Sequence, residues 1–134
     1  MRNYLSENTT SLLNNLLKEL FKANSVADNI AYNLQKLKCY NTSKIYHENF
    51  AHIWPVLADK CTTTMDKLGA KAERMSFEGN VEVYDNIAQC FNETVKLVEK
   101  IRAEILKDLE VLDYDINNKE IILMLESLLE DVLN

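Results

Sequence analysis

The chain has 134 residues, of which only two are glycine and one is proline, and it carries a formal net charge of −6. So little glycine and proline excludes architectures built on Gly-rich βα turns or serial hairpins. The acidic balance excludes a general nucleic-acid binder, whose affinity comes from basic neutralisation of phosphates.

Length fits one domain over residues 1–134, large enough to bury a core without covalent staples. The first helix is expected after Ser6–Thr10, where side-chain oxygens can accept from the free amides of a helix start. Leu12, Leu13, Leu16, Leu17, Leu20 and Phe21 then recur at three- and four-residue spacing and share one face. Asn24 and Ser25 mark a local irregularity before Val26, Ile30, Leu34 and Leu37 resume the pattern.

A break is expected at Asn41–Ser43, followed by a helical pattern from Lys44 to Met75: Phe50, Ile53, Trp54, Leu57, Cys61, Met65, Leu68, Ala72 and Met75. Pro55 interrupts it, because its ring clashes with the Ala51 carbonyl and it donates no amide hydrogen; a kink or a helix start near Trp54 follows. Thr62-Thr63-Thr64 reads as a bent helical stretch whose hydroxyls bond back one turn. Gly79, within Ser76–Asn80, marks the clearest boundary.

A helix of about 45 Å is expected from Val81 to Leu112, with Tyr84, Ile87, Ala88, Phe91, Val95, Val98, Ile101, Ile105, Leu109 and Leu112 inward. Trp54, Leu57, Cys61, Met65 and Leu68 are expected to face Phe91, Val95, Val98 and Ile105 across an antiparallel pair. Asp113–Asn118 is the last connection, with Asn117 or Asn118 as a cap, and Glu120–Leu133 the last helix. Its apolar face, made by Ile121, Met124, Leu125, Leu128, Leu129 and Val132, must be covered by the bundle or by a partner chain, and these six are the candidate partner-binding residues. The fold expected is all-α, an elongated antiparallel bundle of three to four long helices.

Charge is unevenly placed. Lys18 to Arg74 holds nine basic against six acidic residues, whereas Asp108 to Asn134 holds one lysine against eight acids. Lys36, Lys38, Lys60, Lys67 and Lys71 are therefore the candidates for touching an anionic surface. Cys39, Cys61 and Cys90 are odd in number and widely spaced, which reads as reduced thiols. No apolar run approaches the ~20 residues of a membrane span, and the N-terminus lacks a signal-peptide pattern, so a cytoplasmic location is expected.

Catalytic chemistry finds no foothold in this sequence. There is no phosphate-binding glycine loop, nucleophile elbow, HExxH or paired CxxC. His47 and His52 stand five residues apart, which on an α-helix separates them onto different faces. No enzyme activity, cofactor, metal ligand set or small-molecule substrate is expected.

Phe50-Ala51-His52-Ile53-Trp54-Pro55-Val56-Leu57-Ala58-Asp59-Lys60 resembles the aromatic-Ala-x-x-Leu-x-x-Leu-Ala-x-Lys signature of F-BAR members of the BAR superfamily, with Phe50, Ala51, Leu57, Ala58 and Lys60 in register. Gly79, Tyr84 and the long helix through Glu93-Thr94 extend the resemblance. It implies long antiparallel helices that dimerise into a curved module and meet anionic membranes through basic residues. Ala72-Glu73-Arg74-Met75 resembles the ligand-bearing helix of mini-ferritins (Dps-like), which implies a four-helix bundle holding iron. The function expected is a helical interaction or scaffolding module that self-associates, as a dimer, or binds a protein partner, with an anionic membrane surface as a further contact. The alternative is a ferritin-like bundle binding iron or another metal.

Overall fold

Ser6 starts the first helix in the way its residue type favours: in the computed structural model, which describes residues 2–112 and 118–133, its hydroxyl accepts the Thr9 amide at 3.1 Å. Helix α1 then runs unbroken over Glu7–Lys36, so Asn24 and Ser25 do not loosen it. Its leucine face, Leu13, Leu16, Leu17, Leu20, Ile30 and Leu34, is fully buried. α1 ends in a Schellman turn with Lys38 at φ +66°, the Cys39 amide donating to the Leu34 carbonyl at 2.9 Å.

The chain turns into α2 (Tyr40–Tyr46), a π-helical turn (His47–Ala51) and α3 (Ile53–Lys67). Pro55 therefore sits in the first turn of α3, where its missing amide is tolerated. The Ala51 carbonyl, four residues before Pro55, is taken up by the Asn24 side chain of α1 at 2.8 Å. Thr62 and Thr64 bond back to the carbonyls of Asp59 and Lys60, as their hydroxyls allow.

α3 stops at Lys67, eight residues before the expected end at Met75. The stop is Gly69, at φ +80°, in a second Schellman turn whose Ala70 amide donates to the Met65 carbonyl at 2.9 Å. A Cβ at Gly69 would overlap the Arg2 carbonyl, whereas Gly79 has open space around it. Gly69, not Gly79, is the boundary the backbone requires. Residues 70–86 form a non-helical strap, so the helix expected from Val81 begins only at Ile87: α4 covers Ile87–Val111, capped by the Asn86 side chain, and α5 covers Lys119–Leu133. Of the connection expected at Asp113–Asn118, residues 113–117 lie outside the described residues.

The helices close a ring in which α1 packs on α3 and α4, and α5 packs on the same two. Neighbours are antiparallel. The Tyr4 amide donates to the Leu68 carbonyl at one end of the α1/α3 pair, while the Ser43 hydroxyl donates to the Ala31 carbonyl at the other. The all-α bundle expected from composition is therefore present, with four long helices in two hairpins joined by the strap.

The seam expected between α3 and α4 is corrected, since these two stand diagonally across the core. Trp54, Leu57, Cys61 and Met65 are buried as expected, but α4 turns Cys90, Leu97, Ile101, Ile105 and Asp108 inward and leaves Ile87, Phe91 and Val95 exposed. Thr94 and Asp108, both polar, occupy inner positions of α4, which makes its apolar pattern misleading when read by hydropathy alone.

Candidate interaction surface

Ile121, Met124, Leu125 and Leu128 are buried, and Leu129 and Val132 pack against the same core from its edge. α5 reaches this position by lying on α3 and α4, so its apolar face is covered by the chain itself. Of the two ways to cover it, bundle closure is the one the fold takes.

The five candidate lysines do not converge. Lys36 ends α1 and Lys38 follows it, at the opposite end of a helix of about 45 Å from Lys67 and Lys71. Lys60 is paired with Asp131 of α5, and the Lys71 ammonium donates to the Ala72 carbonyl at 3.0 Å. Lys60 and Lys67 share an open groove of about 650 Å³ between α3 and α5, lined also by Asp59 and Glu120 and by the exposed apolar side chains Val56 and Leu123. Its cations and carboxylates are interspersed.

Uncovered apolar surface gathers elsewhere. Of the thirteen large exposed hydrophobic side chains among the described residues, five fall within fifteen positions: Val81, Val83, Ile87, Phe91 and Val95. The last three recur every four residues, so they form one row along the outward face of α4, and they are 43%, 46% and 56% exposed. The strap places the first two beside the start of that row. This segment is held firmly: the Asn33 side chain of α1 donates to the Glu82 carbonyl at 2.9 Å and accepts the Tyr84 amide at 2.8 Å. Asn14 clamps the strap's other end in the same manner, donating to the Lys71 carbonyl at 3.1 Å and accepting the Glu73 amide at 2.8 Å. Between the clamps the Arg74 guanidinium stacks 3.6 Å from the Phe21 ring centroid. Ala72–Met75, expected within a helix, is part of this strap.

Sequence reasoning placed the α4 row inside, so the surface was missed. The signal that finds it is the competing period Cys90, Leu97, Ile101, Ile105, Leu112, which accommodates Thr94 and Asp108 as its polar members.

The remaining chemistry is sparse. Cys61 and Cys90 are buried thiols and Cys39 is partly exposed, all three free; burial pushes Cys61 up to about 12, and Asp108 acts in the same direction. Asp108 itself is raised from 3.8 to about 7, first by burial and then by Glu104, against a smaller opposing pull from Lys107. Its side chain is buried in the inner stripe of α4. Among the described residues no group of three or more His, Cys, Asp or Glu side chains is placed to hold a metal ion, and no helix is long and apolar enough to cross a membrane. No protein-family model matches the chain, nor does any curated protein or solved structure.

Proposed function

We propose that this chain is a non-enzymatic helical interaction module that self-associates through the outward face of α4. The observation that carries the reading is the row Ile87, Phe91, Val95, extended by Val81 and Val83, left uncovered in a bundle whose other long apolar faces are buried. A row of side chains at four-residue spacing is a ridge that packs into the equivalent groove of a second helix. About a twofold axis the same row on two copies is self-complementary. An anionic membrane is not part of the proposal, because Lys36 and Lys38 lie at the opposite end of the molecule from Lys67 and Lys71, and Lys60 is paired with Asp131.

The test is sedimentation equilibrium on the full chain. The wild type is expected to show a concentration-dependent rise toward twice its monomer mass, and Phe91→Asp with Val95→Asp to hold the monomer mass at tenfold higher concentration. Circular dichroism should be unchanged, since neither side chain is in the core. A wild type that stays monomeric, or a variant that still dimerises, overturns the proposal.

The connectivity favours a second reading, a ferritin-like bundle binding iron or another metal. Two antiparallel helical hairpins joined by one long crossover is the arrangement such folds use. Their ions sit on carboxylates and Glu-x-x-His motifs projecting inward from facing helices. Iron retained by the purified protein after Fe²⁺ loading, and undiminished when His47 and His52 are both replaced by Ala, supports this reading over the first.

A further inference from the structure

His47 and His52 would point about 140° apart around a regular α-helix. The π-helical turn removes that separation. Its i to i+5 hydrogen bond, from the His52 amide to the His47 carbonyl at 3.2 Å, stacks the two residues on one face, and their Nε2 atoms stand 3.1 Å apart. A π turn is a rare departure from the α-helix that recurs at functional sites.

The ring geometry decides what this pair is suited to. A straight N–H···N bond between two coplanar imidazoles would set their centroids about 5.4 Å apart. Two Nε2 lone pairs meeting on one ion at ~2.05 Å set the nitrogens about 2.9 Å apart at a right angle and about 3.3 Å apart at a tetrahedral one, with centroids near ~4.8 Å. The observed centroids are 4.4 Å apart with the ring planes at 67°, so the rings do not lie end to end, and their separation is nearer that of two ligands on one ion.

Asp28 completes the arrangement from α1. Its Oδ1 lies 3.1 Å from His47 Nδ1 and is a buried oxygen that makes no aligned hydrogen bond with any described residue, the His47 ring included. A carboxylate charge beside Nδ1 favours the tautomer with its proton there and its lone pair on Nε2, the arrangement found where a carboxylate backs a metal-bound histidine. Both imidazoles are open to solvent, His47 with its side chain 41% exposed, so water can fill the remaining coordination positions.

We propose that His47 and His52 form a two-imidazole binding site for a divalent late transition-metal ion, Zn²⁺ or Cu²⁺, with Asp28 positioning His47. Imidazole nitrogen suits both ions, and Cu²⁺ binds the same donors more tightly. The site lies on the surface of the first hairpin, is independent of the α4 row, and requires no third protein ligand.

Equilibrium dialysis of the untagged full chain against Zn²⁺ tests it. One ion per chain is expected, with binding lost in His52→Ala and in His47→Ala, weakened about 10–100-fold in Asp28→Asn, and unaltered in Cys39→Ser. With one equivalent of Cu²⁺, electron paramagnetic resonance should show coupling to two nitrogens that disappears in the double histidine variant. His52 is exposed, so its replacement leaves the core intact, and circular dichroism checks this. No Zn²⁺ uptake, uptake unchanged in His52→Ala, uptake lost in Cys39→Ser, or a nitrogen pattern that survives the double variant each overturns the proposal.

Discussion

Asp108 is a carboxylic acid with 7% of its surface exposed, and its consequences are energetic before they are structural. Moving a charged carboxylate out of water is costly, so the folded chain favours the neutral acid. Between the ordinary carboxyl value of 3.8 and its folded value of about 7, the unfolded chain has released a proton that the folded chain retains. The unfolded state therefore binds fewer protons, and this group's contribution to stability falls as pH rises through that window. Asp108→Asn removes the dependence. Each tenfold difference in proton affinity between the folded and unfolded chain is worth about 1.4 kcal/mol. Denaturant unfolding of both proteins should therefore show nearly equal stability at pH 3 and the variant more stable by about 1–3 kcal/mol at pH 8. A difference that does not change between those pH values would place Asp108 in contact with water.

The strap is the element that carries most of the unexpected structure. Seventeen residues without a helix or strand need partners for their backbone groups, and α1 supplies them through asparagines. Asn14 and Asn33 each use both ends of one amide to bond a carbonyl and the amide two residues on, as a neighbouring strand would. Asn33→Ala leaves the buried Tyr84 amide and the Glu82 carbonyl without that partner, an expected loss of about 1–3 kcal/mol measured by chemical denaturation; a loss below ~0.5 kcal/mol would show that the clamp is replaced by water. Asn24 serves the π turn with one end of its amide, donating to the Ala51 carbonyl. These side chains are weak helix formers, and in a sequence they read as irregularities because the groups they serve lie 27 to 59 residues away. The Ser6 cap and the leucine faces of α1 and α5 were legible because cap and period are local. Gly69 was legible in principle, as one of two glycines, but the apolar spacing from Leu68 through Ala72 to Met75 carried the helix reading past it. The α4 face was misread because Asp108 and Thr94 sit in its inner stripe, and the pairing of His47 with His52 was hidden because a five-residue interval meets only on a π turn.

At the scale of the whole molecule, the two hairpins bury their apolar faces against each other, and α5 is part of that closure. Four buried apolar side chains on its inner side, each contributing roughly 1.5–3 kcal/mol when fully buried, with Leu129 and Val132 half-buried beside them, give it a structural task within the chain. The surface proposed for association is then the outer row of α4 and the adjoining strap. This division, α5 for the core and α4 for association, is the central claim, and backbone hydrogen exchange followed by mass spectrometry as protein concentration is raised tests both halves at once. α5, residues 119–133, is expected to be protected at every concentration, while protection over 83–99 increases as the chains associate. Exchange in α5 that is fast in dilute protein and slows on association, with 83–99 unaffected, would contradict that claim.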